Sequence, residues 1–164
     1  MRHAKSAYPG GVADHDRPLA PRGRKEAALG GDWLRANVPA IDATLCSTAI
    51  RARETLECTR IDAPVSYVPQ IYGAAPGAVI ETINQVDAQV NTLLAIGHEP
   101  TMSSLALILA NLDTADIADG AGSAAAQSIS AKFPTSGIAV VHCPGTWADL
   151  EPGGAALADF HVPR

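Results

Sequence analysis

The residues that could do chemistry begin with the first stretch of the chain, Arg2-His3-Ala4-Lys5-Ser6. A neutral imidazole is a good nucleophile, and cations beside it can hold an incoming phosphate group. This histidine between two cations therefore suits a covalent phosphoryl carrier. Short motifs also occur by chance, so an ordinary exposed Arg-His pair is the alternative interpretation. A phosphoryl site would need further arginines, a second histidine and helix N-termini elsewhere in the chain.

The elements that must position such a site alternate between strands and helices. Strands are expected at 43–47, 65–68, 91–97, 137–143 and 156–161. Helices are expected at about 21–37, 48–59, 76–86 and 100–112, and a loop over 113–126 leads into a short helix that ends near residue 132. This order predicts a single α/β domain over residues 1–164. Its architecture would be a three-layer α/β/α sandwich with a mostly parallel central sheet.

Three basic side chains follow predicted strands at the same edge of that sheet. His3 lies at the end of a short first strand formed by residues 1–3. Arg51 lies in the first turn after the strand over 43–47, and His98 follows the strand over 91–97. Ligands of parallel α/β sheets bind at the carboxyl ends of the strands, beside helix N-termini. The topology therefore predicts an anion site at this edge. Its positive charge would come from arginines, so we expect no metal and no cofactor.

Charge is unevenly distributed along the chain. The net charge of the 164 residues is −5, but residues 1–60 carry +3 and residues 61–164 carry −8. A negative chain is a poor general binder of nucleic acid. Arginines clustered near the N-terminus suit a compact anion such as a phosphate monoester or phosphoramidate. A solvated basic face is the other interpretation of this cluster.

Composition narrows the class of protein further. Apolar residues make up 47% of the chain, enough for a packed core. No apolar run is long enough to span a bilayer, and no secretory signal opens the chain. Three cysteines without CxxC spacing argue against a disulfide framework or structural zinc. We expect a cytoplasmic monomer that has no membrane or nucleic-acid partner.

The motifs together resemble the histidine phosphatase superfamily, which is phosphoglycerate mutase-like in fold, and within it the small SixA-type phosphohistidine phosphatases. The segments that carry the resemblance are 2–6, 16–19 with 22–23, 47–55, 97–100 and 133–138. They follow the family's order and span nearly the whole chain. The combination is specific, although each segment alone is weak.

The resemblance implies a role for each matching residue. His3 would be the nucleophile, with the phosphate pocket formed by Arg2, Arg17, Arg51 and His98. Lys5 and Ser6 would add to substrate binding, or else belong to a solvated loop. The substrate would be a phosphorylated protein carrying phosphohistidine, or a small phosphorylated molecule.

Two features depart from larger members of this superfamily. Many of those carry an acidic residue after the third strand, whereas here residues 68–73 contain no carboxylate. A phosphate ester with a poor leaving group needs such an acid, but phosphohistidine leaves as an imidazole that is readily protonated. The second departure is a truncated first strand, because a strand that presents such a histidine normally has several apolar residues before it and only Met1 and Arg2 precede His3. We hypothesise that Met1 is an internal methionine of a longer natural strand.

Other side chains have simpler interpretations. Asp14, His15 and Asp16 are consecutive in a loop, which disfavours a metal site. Glu99 could act as an acid, but a carboxylate that stabilises a helix start is the favoured interpretation. Arg53 is expected to be structural, facing away from the site or pairing with the glutamate four residues later. Two alternatives to a phosphohistidine phosphatase stay open, namely a phosphomonoesterase for a small metabolite and a phosphate-binding module without turnover.

Overall fold

A three-stranded parallel sheet lies at the centre of the computed structural model, which describes residues 1–112 and 123–164. Strand β1 (Ala43–Ser47) lies between β2 (Val65–Val68) and β3 (Leu93–Ile96). Within the register, Leu45 is opposite Ser66 of β2 and Ala95 of β3. Strand β1 is almost wholly buried, as expected for a central parallel strand covered on both faces.

Two further strands form a separate antiparallel pair. Strand β4 (Ile138–His142) pairs with β5 (Ala156–His161), with a register shift between Val140 and Val141. The predicted edge strand over 156–161 is therefore confirmed, and its partner is β4.

The first three residues connect the parallel sheet to this pair. Arg2 forms a parallel bridge with Gly97, and the His3 amide donates to the Gly97 carbonyl oxygen at 2.9 Å. On the other side, the Arg2 amide donates to the carbonyl oxygen of Gly137, also at 2.9 Å. The nucleophile candidate is thus placed between the carboxyl end of β3 and the start of β4.

Five α-helices surround the strands within the described residues. They are α1 (Pro21–Asn37), α2 (Ile50–Thr59), α3 (Pro76–Ile83), α4 (Thr101–Leu109) and α5 (Ala124–Ala131). The start of α1 is confirmed at a proline, which suits the first helical turn. Helix α2 begins two residues later than predicted, and α3 and α4 end three residues earlier. Of the predicted loop over 113–126, residues 113–122 lie outside the described part of the chain.

Alternate residues of β1 pack against two different helix layers. Leu45 belongs to a buried cluster with apolar residues of α3, α4 and α5. Cys46 belongs to a second cluster with Leu34 of α1 and Leu56 of α2. Because successive strand residues point to opposite faces, the sheet lies between two helix layers. The predicted three-layer sandwich is confirmed.

Helix α1 packs closely against the segment that follows His3. A Cβ atom at Gly23 would lie 2.1 Å from the carbonyl oxygen of Lys5. No side chain fits at that distance, so this close approach requires glycine. The packing supports the chain immediately behind the candidate nucleophile.

Two kinds of feature are absent from residues 1–112 and 123–164. No helix in this part of the chain is long and apolar enough to cross a membrane. Over the same residues, no group of three His, Cys, Asp or Glu side chains is arranged to hold a metal ion.

Candidate active site

The His3 side chain has one ring nitrogen occupied and the other directed at an arginine. Its Nδ1 lies 2.7 Å from the Ala4 carbonyl oxygen, which can only accept, so Nδ1 carries the proton. The lone pair is therefore on Nε2, to which Arg51 Nε donates at 3.3 Å. Burial lowers the pKa of His3 to about 3, and His98, Arg51 and Arg2 act in the same direction. The imidazole is neutral and nucleophilic at physiological pH.

The backbone around His3 is held from a third element. The Ser136 amide donates to the His3 carbonyl oxygen at 3.2 Å. Ser136 is fully buried and adopts φ of 65°, a left-handed conformation that is uncommon for a residue with a side chain. The segment before β4 thus contributes directly to the position of the candidate nucleophile.

Arg51 reaches His3 from the first turn of α2. Its side chain is only 7% exposed, and its two terminal nitrogens both contact Asp14. Nη2 donates to the Asp14 carboxylate at 2.9 Å, and Nη1 donates to the Asp14 carbonyl oxygen. The planar guanidinium therefore connects His3, the candidate nucleophile, with Asp14 in the loop before α1.

His98 lies beside His3, with the two ring centroids 5.0 Å apart. Its Nε2 is 2.7 Å from the Ser47 hydroxyl oxygen, which also accepts from the Ala49 amide. That hydroxyl can donate to Nε2, which leaves the proton of His98 on Nδ1. This Nδ1 is buried and has no partner among the described residues. Burial, followed by Arg51, lowers the pKa of His98 to about 4.

Arg2 is anchored at one end and unpaired at the other. Its Nη1 donates to the Phe133 carbonyl oxygen at 2.6 Å, whereas its buried Nε has no partner in the described part of the chain. Buried donors without partners are rare in folded proteins, and ligand sites are one place where they occur. Arg2 Nε and His98 Nδ1 are therefore available to oxygens of a bound anion.

Arg17 joins the same network from the loop before α1. Its Nη1 donates to the Asp14 carboxylate at 2.7 Å, and its Nη2 donates to the Ser6 hydroxyl. The guanidinium also lies 3.5 Å from the centroid of the Tyr8 ring. Lys5 is exposed and its described side-chain contact is with Tyr8, 5.7 Å from the ring centroid. The structure thus brings Arg17 and Ser6 into the network and leaves Lys5 at its edge.

Asp14 and Tyr72 are site residues that sequence reasoning missed. The Asp14 carboxylate accepts from both arginines and from the Tyr72 hydroxyl, which is 2.7 Å away. The hydroxyl of Tyr72, followed by Arg17, holds the pKa of Asp14 well below its usual range. Tyr72 lies just beyond the carboxyl end of β2, so the rule that located Arg51 could have found it. Asp14 lies in a loop, where no periodic signal exists.

Glu99 is engaged at the start of α4. Its two carboxylate oxygens accept from the Ser103 amide at 3.1 Å and from the Ser103 hydroxyl at 2.7 Å. These contacts are those of a carboxylate that satisfies a helix start, the favoured interpretation from sequence. The guanidinium of Arg53 lies over the Tyr67 ring, 5.1 Å from the centroid, which fits the expected structural role away from the site and is not the alternative pairing with Glu57.

Comparisons with known proteins identify the family of this chain. The model of the histidine phosphatase superfamily (branch 1) matches residues 1–71. An uncharacterised protein of Mycobacterium tuberculosis strain H37Rv is 64% identical over 164 residues, which is 100% of both chains. A solved SixA structure from Nakamurella multipartitia is 36% identical with a TM-score of 0.87, covering 99% of this chain and 93% of that one. The phosphohistidine phosphatase SixA of Escherichia coli is 27% identical over 111 residues, 64% of this chain and 68% of that protein.

The chain therefore belongs to the histidine phosphatase superfamily. Within that superfamily, the solved structures it resembles at high structural similarity are SixA proteins, and the chain is a phosphatase. The resemblance inferred from its motifs is confirmed.

Proposed function

We propose that this phosphatase removes the phosphoryl group from phosphohistidine on a protein, through a covalent intermediate on His3. The observation that carries the proposal is the state of the His3 ring. Its Nδ1 proton is committed to the Ala4 carbonyl oxygen, and its Nε2 lone pair faces Arg51. A neutral nucleophile beside fixed positive charge is the arrangement that phosphoryl transfer needs.

The reaction has two displacements at phosphorus. In the first, the His3 Nε2 lone pair forms a bond to phosphorus while the P–N bond of the substrate breaks. The departing imidazole nitrogen keeps that electron pair and takes a proton from solvent. In the second, a water oxygen bonds to phosphorus, the P–Nε2 bond breaks, and the water's proton passes to solvent. Inorganic phosphate leaves and neutral His3 is restored.

The surrounding side chains have distinct roles in this proposal. Arg2, Arg17 and Arg51 bind the phosphoryl oxygens, on which negative charge is spread in the transition state. His98 donates from its unpaired Nδ1 to one of these oxygens. Ser6 acts through its hydrogen bond with Arg17. Lys5, which is exposed, attracts an anionic substrate without direct contact.

The hydrogen bonds of the two nearby carboxylates indicate which leaving group suits the site. Asp14 accepts three hydrogen bonds and is ionised, and Glu99 is occupied by Ser103. The ionised Asp14 carboxylate has no proton to give to a departing alkoxide, and both oxygens of Glu99 are directed at Ser103. An imidazole nitrogen is basic enough to take its proton from water near neutral pH. This supports phosphohistidine over an alkyl phosphate ester as the substrate.

A substrate panel tests the proposal. Purified protein is incubated with a phosphohistidine-bearing phosphotransfer protein, a phosphoserine peptide, a sugar phosphate and an aryl phosphate, and phosphate release is measured. We expect the phosphohistidine protein to turn over fastest, and His3→Ala to lower all turnover at least about 10³-fold. His142→Ala, at the exposed end of β4, is the matched control and should retain full activity.

Each other outcome has a definite meaning. Faster turnover of the sugar phosphate would replace phosphohistidine with a small metabolite as the substrate. No turnover of any substrate, with phosphate binding retained, would leave a binding module. Equal activity of wild type and His3→Ala would exclude His3 as the nucleophile.

A further inference from the structure

The donors assigned to the substrate phosphoryl group are already bound by an anion of the chain itself. The Asp14 carboxylate accepts from Arg17 Nη1 at 2.7 Å, from Arg51 Nη2 at 2.9 Å and from the Tyr72 hydroxyl at 2.7 Å. Two of these three groups belong to the arginines that the proposed function assigns to phosphate. The inference that follows rests on that function.

The two arginines and the aspartate differ in how they are held. The Arg51 and Arg17 side chains are 7% and 12% exposed, whereas Asp14 is 55% exposed. Arg51 is fixed on α2, while Asp14 lies in a three-residue 3-10 helix (Asp14–Asp16) within the loop that precedes α1. Moving the Asp14 side chain into solvent therefore disturbs little packing. The two arginine side chains are largely buried and cannot move into solvent as readily.

The geometry of the donors suits a phosphoryl group as well as a carboxylate. Guanidinium groups pair with either anion through parallel N–H donors. Arg51 also donates from Nε to His3 Nε2, so a phosphoryl group bonded to that nitrogen would lie against the same guanidinium. Two anions on one guanidinium repel each other, and they compete for the same N–H donors.

We propose that the Asp14 carboxylate and the substrate phosphoryl group occupy the arginines alternately. Asp14 keeps Arg17 and Arg51 oriented before substrate arrives, is displaced when the phosphoryl group enters, and returns to help expel inorganic phosphate. Asp14 is thus a positioning residue that weakens product binding. An aspartate that only braced the arginines would have the opposite effect on anion affinity when replaced, because losing it would loosen the donors.

Binding of inorganic phosphate separates these two roles. We expect Asp14→Asn to tighten the Kd of inorganic phosphate about tenfold at pH 7, because it removes the competing charge. Asp14→Ala, which also removes the competing acceptor, should tighten it at least as much. The control is Asp16→Asn, which removes the same charge from the same turn, where the described contact of the carboxylate is with His15. Its effect should stay within about twofold, as expected for an exposed charge.

Kinetics give a second readout on the same variants. With an aryl phosphate, Asp14→Asn should lower both KM and kcat and should increase inhibition by added phosphate. Circular dichroism confirms that each variant is folded. A Kd that is unchanged or weaker in Asp14→Asn and Asp14→Ala would overturn the exchange, even if wild type hydrolyses every substrate. Absence of hydrolysis by wild type would instead contradict the proposed function, whatever the variants bind.

Discussion

The space between β3 and β4 has a polar end, at the carboxyl end of β3, and an apolar end beyond Met1. At the carboxyl end of β3, residues 1–3 lie between the strands and carry polar groups toward Arg51 and His98. Past Met1, the same strands border a mainly apolar cavity of about 480 Å³. One end is crowded with directional contacts, and the other contains unfilled space.

The two ends differ in the substitutions that they tolerate. Each hydrogen bond at the polar end joins particular atoms, so the loss of one donor leaves a buried partner unsatisfied. Side-chain contacts around the cavity are mainly apolar and non-directional, so the apolar lining can be altered if its volume is respected. Substitutions at the polar end should therefore change catalysis, and those at the apolar end should change stability alone.

The largest expected effect is a loss of kcat that depends on which of two arginines of α2 is replaced. Arg51→Met removes the cation beside His3 and should lower kcat about 10²–10³-fold, as for the loss of a transition-state donor. Arg53→Met removes the same charge two residues away, where the side chain lies over Tyr67 on the exposed face of β2. Its kcat should stay within about twofold. The measurement is steady-state hydrolysis of an aryl phosphate, and a comparable loss in both variants would mean that only net charge matters.

A smaller effect concerns the burial of His3. The folded pKa of His3 is about 3, below the 6.5 of an unfolded histidine. Between these values the unfolded chain binds more protons, so acid favours unfolding. The stability contributed by neutral His3 is complete above about pH 7.5 and declines as the pH falls. From pH 7.5 to pH 5 the loss is about 2 kcal/mol, to which His98 adds in the same direction.

Urea unfolding at pH 7.5 and at pH 5 measures this dependence. His3→Gln should lose about 2 kcal/mol less stability than wild type over that interval. His142→Gln, at the exposed end of β4, should behave as wild type. The interval lies above the range in which Asp14 titrates, so that carboxylate does not contribute. An identical pH dependence in wild type and His3→Gln would show that His3 is more accessible to water than its surroundings indicate.

The polar end was predictable only in part. His3, Arg51 and His98 lie together because each follows a parallel strand, and strands can be located from local apolar patterns. Asp14 could not be placed in this way, because its contact with Arg51 joins a loop to a helix across 37 positions. Helical spacing could place Arg53 away from the site, but its contact with the Tyr67 ring on β2 could not be predicted from its own helix. Local rules locate elements, while contacts between loops and elements depend on the assembled fold.

The apolar end had no signal in the sequence, since a cavity arises from how strands and helices meet.

Filling this cavity gives the smallest expected effect. Ala139 of β4 lines the cavity, and Ala139→Val adds volume there on a residue type that favours strands. We expect Tm to rise by roughly 1–4 °C, corresponding to about 0.5–1 kcal/mol, with kcat unchanged. Ala156→Val, at an exposed position of β5 that is paired with His142, adds the same residue type without lining the cavity. Thermal unfolding of both variants isolates the contribution of filling, because strand preference is common to the two. A larger gain in Ala156→Val would attribute the stabilisation to strand preference, and a fall in kcat of Ala139→Val would show that the two ends of the space between β3 and β4 are coupled.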